Sequence, residues 1–255
     1  MNILFVLLLA HFISDFYLQP TKWAMNKDKE FKFMAKHCAL YALILGLSIF
    51  ICISFQKAIW AFLMIAVSHF IVDILKSQIN KKIKNSSKEN ILSFHVFWID
   101  QVIHITMIVV VFFALNLSAC QSDLFIYLEQ EFENMHKVLS YALLLILIWD
   151  PAAIFVKKLL ACITPATSET VESTCQNEED TQNDSISAGR LIGEIERFII
   201  ALLMIHDELG ALGFVLAAKS LARYKQFEDI NFTEKFLVGT LTSTVIAILC
   251  TTLLT

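Results

Sequence analysis

Histidine and aspartate recur four positions apart in three apolar stretches of the chain. These stretches are HFISDFYLQ from His11, HFIVDILK from His69 and, in the reverse order, DQVIH from Asp100. Residues four apart share one face of an α-helix, and an Asp at the centre of a membrane helix costs roughly 2.5–3.5 kcal/mol. Imidazole and carboxylate groups suit Zn²⁺, Mn²⁺ or Fe²⁺. The sequence therefore predicts one shared site with a divalent metal as candidate cofactor, and its candidate ligands are His11, Asp15, His69, Asp73, Asp100 and His104.

A second group of charged residues lies in apolar sequence near the end of the chain. Arginine can bind a phosphate group through two parallel hydrogen bonds, and a carboxylate can act as a general base. These properties predict Glu194, Glu196 and Arg197 as candidate catalytic residues and Arg190, Lys219 and Arg223 as candidate substrate-binding residues. A structural explanation stays open, because Glu194 follows Arg190 by four residues and the two can pair within one helix.

The elements that carry these residues are predicted to be membrane helices. Hydrophobic residues make up 57% of the chain, its mean hydropathy is +0.65, and a spanning helix needs about 20 apolar residues. We expect an all-α fold, a polytopic transmembrane helical bundle with about eight segments, or seven if segments six and seven form a re-entrant hairpin. The predicted segments are 2–19, 37–55, 57–79, 93–117, 137–160, 189–205, 209–224 and 236–254.

The connections between the segments predict the domain organisation. An acidic, aperiodic stretch over 161–188 is typical of a disordered cytoplasmic linker, which separates N-terminal helices in 1–160 from C-terminal helices in 189–255. A short amphipathic helix is predicted within 122–135, and Pro151 is predicted to break segment five. Small residues allow close helix contact, so we expect contacts at Gly189, Gly193, Gly210 and Gly213.

Lysine and arginine predict the orientation of the chain. They concentrate in the odd-numbered connections, which places those connections in the cytoplasm and the N-terminus outside. With this topology each Asp of the three pairs lies one turn nearer the cytoplasm than its His, so the site would open to the cytoplasm. The positive residues lie beside membrane segments, and we expect no nucleic-acid partner.

Several ordered blocks resemble one protein family. HFISDFYLQ, SHFIVDILK, IDQVIH, GRLIGEIERFIIALL, LGALGFVLAAKSLARYKQFED and FLVGTLTS are similar to the bacterial integral-membrane family known as domain of unknown function 3307. This resemblance implies a polytopic protein of the bacterial cytoplasmic (inner) membrane and assigns no activity. The H-x-x-x-D spacing is also similar to that of membrane-bound metal-dependent hydrolases.

Three functions remain open from the sequence. The first is a metal-dependent hydrolase of a lipid-linked or phosphorylated substrate, in which the metal activates water. The second is an ion- or proton-coupled transporter, since intramembrane Asp and His also form cation sites and proton relays. The third is a structural or partner-binding membrane protein without a cofactor, whose polar residues only join helices. Membrane lipids are expected partners in all three, and the acidic linker is a candidate docking segment for a cytoplasmic protein.

Overall fold

The computed structural model describes residues 1–28, 30–84, 86–163 and 179–255, and these residues are almost entirely helical. They form two compact units, Met1–Ile146 and Leu147–Thr255, which we call unit 1 and unit 2. The α-helices are α1 (Asn2–Phe12), α2 (Thr21–Asn26), α3 (Phe31–Cys52), α4 (Phe55–Ile83), α5 (Glu89–Ala114), α6 (Asp123–Glu131), α7 (Met135–Ile148), α8 (Asp150–Ile163), α9 (Glu179–Ile205), α10 (Leu209–Ala222) and α11 (Ile230–Leu254).

Within the described residues, five helices are long and apolar enough to cross a membrane. They are Phe31–Cys52, Phe55–Ile83, Glu89–Ala114, Met135–Ile163 and Ile230–Leu254. Large apolar side chains such as Leu43, Trp60 and Phe113 are exposed on them, at 67%, 59% and 66%. An extended exposed apolar surface is unusual for a soluble monomer. These features are those of a membrane protein.

The predicted number of eight membrane segments is not supported. The 11 residues of α1 and the 5 of the π-helical turn after it reach only about 24 Å at about 1.5 Å per residue, and the hydrocarbon core is about 30 Å thick. The 14 residues of α10 are shorter still. Helix α9 has the length, but Arg190, Glu194, Glu196 and Arg197 interrupt its apolar part.

Unit 1 is built from α1, α3, α4 and α5, which pack along one another. Its apolar core includes Leu7 of α1, Leu45 of α3, Ile65 of α4 and Ile108 of α5. Core residues lie in the first half of α1 and α4 but in the second half of α3 and α5. Therefore α1 and α4 run in one direction and α3 and α5 in the other, and the His and Asp residues of all four helices lie on the same side of the core.

The predicted amphipathic helix of unit 1 is confirmed as α6. The Ser122 hydroxyl caps its first turn by accepting a hydrogen bond from the backbone N–H of Phe125 at 3.1 Å. The Phe125 side chain is buried in the apolar core, whereas Leu124 on the same helix is exposed. One anchored aromatic side chain thus fixes this short helix against unit 1.

Unit 2 contains α8, α9, α10 and α11, and the predicted break at Pro151 is confirmed. Helix α7 ends at Ile148 and α8 begins at Asp150, because proline has no N–H for the helix and disfavours a continuous one. The buried Arg197 side chain donates hydrogen bonds to the carbonyl oxygens of Ile148 and Trp149 and to the Ser243 hydroxyl. The guanidinium group therefore supplies a donor to the Ile148 carbonyl, which has no backbone donor among the described residues, and a second donor to the Trp149 carbonyl, which also accepts from the Ala153 N–H.

The contacts with neighbouring helices that were predicted for four glycines of this unit are wrong at all four positions. A Cβ atom at Gly189, Gly210 or Gly213 would meet nothing within 4 Å in the described part of the chain, and one at Gly193 would meet only Arg197 of its own helix. The spacing of these glycines was compatible with a contact face, but no neighbouring helix approaches that face. The close approach is instead at Gly239 of α11, where a Cβ would lie 3.4 Å from Leu160.

The acidic linker predicted over 161–188 is only partly covered by the described residues. Residues 164–178 lie outside them, and α8 and α9 account for the residues on either side. The linker therefore stays a prediction for that central stretch.

Candidate functional site

The first His–Asp motif crosses from an α-helix into a π-helical turn. His11 lies in the last turn of α1, and Asp15 lies in the π-helical turn Ile13–Tyr17. The Ser14 hydroxyl donates to the carbonyl oxygens of Ala10 and His11 at 2.7 and 3.0 Å, which supports the widened turn. Single π-helical turns are common at functional sites. Here the turn changes the direction in which the Asp15 side chain leaves the helix.

Three buried histidines from three helices meet next to Tyr41. We call His11, His69 and His104 the histidine layer. The ring centroids of His69 and His104 are 4.4 Å apart, and those of His11 and His104 are 5.4 Å apart. Tyr41 stacks on His69 with a centroid distance of 3.5 Å. All three histidines are at most 3% exposed, so they form one packed group away from solvent.

Three carboxylates form an adjoining group, the carboxylate layer of Asp15, Asp73 and Asp100. His37 of α3 lies between two of them, with its Nε2 atom 3.3 Å from Asp15 Oδ1 and 3.1 Å from Asp73 Oδ2. Gln101 Nε2 donates to Asp15 Oδ2 at 3.1 Å and to Asp100 Oδ2 at 3.0 Å. His37 and Gln101 therefore connect all three carboxylates.

Two lysines balance part of the negative charge. Lys76 Nζ lies 2.5 Å from Asp100 Oδ2, and Lys27 Nζ lies 3.9 Å from Asp73 Oδ2. Three carboxylates against two ammonium groups leave one net negative charge before the histidines are counted. A buried negative charge of this kind needs a proton on a histidine or a bound cation.

Several polar atoms of these two layers have no hydrogen-bond partner among the described residues. Both ring nitrogens of His11 and the Nε2 atoms of His69 and His104 are buried without one, as are Asp73 Oδ2 and Asp100 Oδ1. Buried polar groups are nearly always paired, and exceptions are common where a water molecule or an ion binds. The unpartnered atoms belong to five side chains of the two adjoining layers.

The spacing of these atoms fits metal coordination. Three sets of side chains in the described part of the chain each bring three candidate ligand atoms within 4.8 Å of one another: Asp15, His37 and His69; Cys38, His69 and Asp73; and Asp73, Asp100 and His104. His69 and Asp73 each belong to two sets. We call the histidine and carboxylate layers together with His37 the His/Asp cluster.

The structure brings all six predicted metal-ligand residues into this cluster, and their role as ligands stays a prediction. Sequence reasoning missed His37, Lys76 and Gln101 as parts of it. His37 was placed at the edge of a helix, because no Asp lies four residues away on α3. The motifs could have indicated two of these residues, since Gln101 directly follows Asp100 and Lys76 follows Asp73 by three residues.

The predicted catalytic and substrate-binding residues lie in unit 2, where four of the six form ion pairs among the described residues. Arg190 pairs with Glu194 at 2.7 Å and also contacts Asp150, and Lys219 Nζ lies 2.5 Å from Glu196 Oε2. The contacts of Arg197 are with backbone carbonyls and Ser243, which is a structural arrangement. Arg190, Glu196, Arg197, Lys219 and Arg223 line one cavity of about 1090 Å³, whereas Glu194 is not among its lining residues.

Comparison with known proteins gives one match. Residues 3–132 match the family model described as "Protein of unknown function (DUF3307)". This range includes every residue of the His/Asp cluster and ends before unit 2, so the resembling blocks beyond residue 189 lie outside the matched range. No curated protein and no solved structure matches the chain.

Proposed function

The chain belongs to the protein family of unknown function DUF3307, and we propose that its family-matched half is a membrane-embedded centre for a divalent metal ion. The proposed ligands come from His37, His69, Asp73, Asp100 and His104, with Asp15 beside them. All of them lie in unit 1, on α3, α4, α5 and the π-helical turn.

One observation carries this proposal: pairs of ligand atoms lie at coordination distance without being aligned for a hydrogen bond. His37 Nε2 and Asp73 Oδ2 are 3.1 Å apart, and His104 Nε2 and Asp100 Oδ1 are 3.3 Å apart. All four atoms lack a hydrogen-bond partner in the described residues. Ligands about 2.0–2.2 Å from a tetrahedral Zn²⁺ lie about 3.3–3.6 Å from each other. Lone pairs directed at a bound ion would explain the poor alignment, and Asp73, Asp100 and His104, whose ligand atoms lie within 4.8 Å of one another, link the two pairs.

The groups around the ligands also suit a metal centre. Gln101 and Lys76 contact Oδ2 of Asp100 and leave its Oδ1 atom free. Gln101 likewise contacts Oδ2 of Asp15, whose Oδ1 atom faces His37. Partners that hold the outer oxygen of a ligating carboxylate fix the direction of the inner one. The mixed nitrogen and oxygen ligands favour Zn²⁺, Mn²⁺ or Fe²⁺ over Ca²⁺ or Mg²⁺.

The function that such a centre serves best is metal-dependent hydrolysis of a phosphorylated or lipid-linked substrate. A bound divalent metal ion makes water a nucleophile at neutral pH. Asp15 and His11 are the groups of this cluster placed to hold or accept a proton from that water, since His11 has two unpartnered ring nitrogens. The distribution of lysine and arginine supports a cytoplasmic position for the carboxylate layer, with the N-terminus outside a bacterial cytoplasmic membrane.

A second candidate function, carriage of the metal ion itself, is favoured by the burial of the cluster. His11, His37 and Asp73 are at most 2% exposed, which suits an ion better than a large substrate. Intramembrane carboxylates and histidines are common in ion pathways. Hydrolysis requires the substrate to reach the metal, whereas carriage requires only that the ion leave the site on the opposite side.

The test compares metal content and two activities in detergent-purified full-length protein. We expect about one Zn, Mn or Fe per chain in the wild type and a loss in Asp73→Asn, measured by inductively coupled plasma mass spectrometry. Asp123→Asn is the matched control, since Asp123 is exposed on α6. A wild type without metal after loading, or equal metal in both variants, refutes the metal centre.

Two further measurements separate the candidate functions. Metal-dependent cleavage of a generic phosphate monoester or diester supports the hydrolase. Metal uptake into reconstituted liposomes, followed with an enclosed indicator dye, supports the carrier. A metal-loaded protein that shows neither activity refutes both functions and leaves a structural metal centre.

A further inference from the structure

The cavity in unit 2 carries an excess of positive charge that its own carboxylates do not neutralise. Its volume is about 1090 Å³. Among the described residues it is lined by one carboxylate, Glu196, and by six cations: Lys157, Arg190, Arg197, Lys219, Arg223 and Lys235. Two of these cations are paired, Lys219 with Glu196 and Arg190 with Glu194 and Asp150. The charge of the cavity therefore depends on the other four.

Three of the remaining cations face the cavity without a carboxylate. Within the described part of the chain, Lys157, Arg223 and Lys235 form no ion pair at 4.0 Å or less. Arg223 donates to Gln226 at 3.3 Å and lies 6.0 Å from the ring of Phe232, and neither partner neutralises it. Arg197 is also without a carboxylate partner, because its donors are used by two carbonyl oxygens and Ser243.

The rest of the lining is apolar. Leu160 of α8, Ile192 of α9 and Phe236 of α11 line the same cavity as the cations, and Lys219 Nζ lies 5.3 Å from the ring of Phe236. A soluble anion would use only the charged side of such a cavity. A molecule with an anionic head and a hydrocarbon tail would use both.

We propose that this cavity binds a phosphorylated amphiphile, with the phosphate group held by Arg223, Lys235 and Lys157 and the hydrocarbon part against Leu160, Ile192 and Phe236. Arginine and lysine are the residues that bind phosphate, arginine by two parallel hydrogen bonds and lysine as a point charge. The volume of about 1090 Å³ lies just above the range of about 300–1,000 Å³ that is typical of sites for small organic ligands, which leaves room for a hydrocarbon chain. The proposal concerns residues of unit 2 only and does not depend on the metal centre of unit 1.

The experiment measures lipid binding to the full-length protein in neutral detergent. The probes are phosphatidic acid and phosphatidylcholine of the same chain length, added separately and followed by native mass spectrometry and by thermal shift. We expect wild-type protein to bind phosphatidic acid more tightly, and the double variant Arg223→Gln, Lys235→Gln to lose about tenfold or more of that affinity, as expected when charge-assisted hydrogen bonds are removed.

The matched control is the double variant Lys82→Gln, Lys225→Gln, which removes the same charge from exposed positions that do not line the cavity. It should bind phosphatidic acid like the wild type. Lys157→Gln serves as a second test, since Lys157 is exposed and its replacement leaves the helix contacts intact; it should lower the affinity by a smaller factor. Equal binding of the two lipids, or equal losses in the cavity and control variants, would overturn the proposal.

Competition identifies the source of the phosphate. Inorganic phosphate that displaces the lipid only at much higher concentration supports the amphiphile. Inorganic phosphate that binds as tightly as the lipid, and loses affinity in the same variants, overturns the apolar half of the proposal and assigns the cavity to a soluble phosphate. Metal content should stay unchanged in all cavity variants, which keeps this result separate from the test of the metal centre.

Discussion

His37→Ala is the most informative perturbation of the His/Asp cluster. The change removes the Nε2 atom that lies 3.1 Å from Asp73 Oδ2 and 3.3 Å from Asp15 Oδ1. If a metal occupies the cluster, one ligand is lost and two carboxylates are left facing each other. Loss of an outer partner of a metal ligand already weakens binding about 10- to 100-fold, so loss of a ligand should weaken it by at least as much.

The size of the effect on thermal stability follows from mass action. At a free metal concentration about 100 times the dissociation constant, bound metal stabilises the folded protein by about 2.7 kcal/mol. For a chain of this size that corresponds to a rise in Tm of roughly 5–11 °C, at about 2–4 °C per kcal/mol. Wild-type protein should therefore lose about this much on chelation. In His37→Ala the same metal concentration is only about 1–10 times the weakened dissociation constant, so chelation should remove only about 0.4–1.4 kcal/mol, or roughly 1–6 °C.

The assay is a melting curve recorded with and without chelator for each protein. Comparing the two curves of the same variant cancels the packing that is lost when a buried imidazole becomes a methyl group. His206→Ala is the matched control, because His206 is exposed in unit 2 and its replacement should leave the full response to chelator. A wild-type protein that does not respond to chelator, or a His37→Ala variant that responds as strongly as the wild type, would refute the reasoning.

Three other predictions concern particular contacts. Lys76→Met should weaken metal retention about 10- to 100-fold by releasing the outer oxygen of Asp100, and metal content after graded dialysis measures this; unchanged retention would mean that Lys76 only balances charge. Arg197→Ala should destabilise unit 2 by about 1–3 kcal/mol, because the Ile148 carbonyl loses its donor while the Trp149 carbonyl keeps the Ala153 N–H, and chemical denaturation checks this against wild type. Gly239→Leu should lower the free energy of unfolding by about 1–3 kcal/mol, because the larger side chain overpacks against the neighbouring helix. Gly210→Leu, with open space around it, should lower it little. Equal effects of the two variants in chemical denaturation would contradict this packing.

The sequence contained enough information to group the His and Asp residues. The spacing of four residues is a property of a single helix, and it correctly indicated which faces of α1, α4 and α5 are polar. The reversed order in Asp100 and His104 also agreed with the opposite direction of α5 in unit 1. These features depend only on helix periodicity and on the avoidance of lipid by charged groups.

The features that the sequence did not show depend on contacts between helices. His37 joins the cluster through partners on other helices, and nothing within four residues on α3 indicates this. The π-helical turn at Asp15 is not evident from the sequence, because the hydrogen bonds of Ser14 to the carbonyls of Ala10 and His11 that support it are of a kind that serine also makes in ordinary α-helices. The contacts of Arg197 with Ile148, Trp149 and Ser243 are likewise not evident from the sequence, because the helix break at Pro151 lies in a distant part of the chain; its catalytic role stays a prediction.

The short connection between α3 and α4 has a consequence for the order in which unit 1 assembles. Only Ile53 and Ser54 separate these two antiparallel helices, and His37 and Asp73 lie at similar distances along the chain from that turn. A newly made α3–α4 hairpin would therefore bring His37 against Asp73 using local contacts alone, which form faster than distant ones. Asp73 would then meet a neutralising partner before α5 is synthesised. The two-residue connection would thus allow Asp73, the most buried carboxylate of the cluster, to be paired early in the assembly of unit 1.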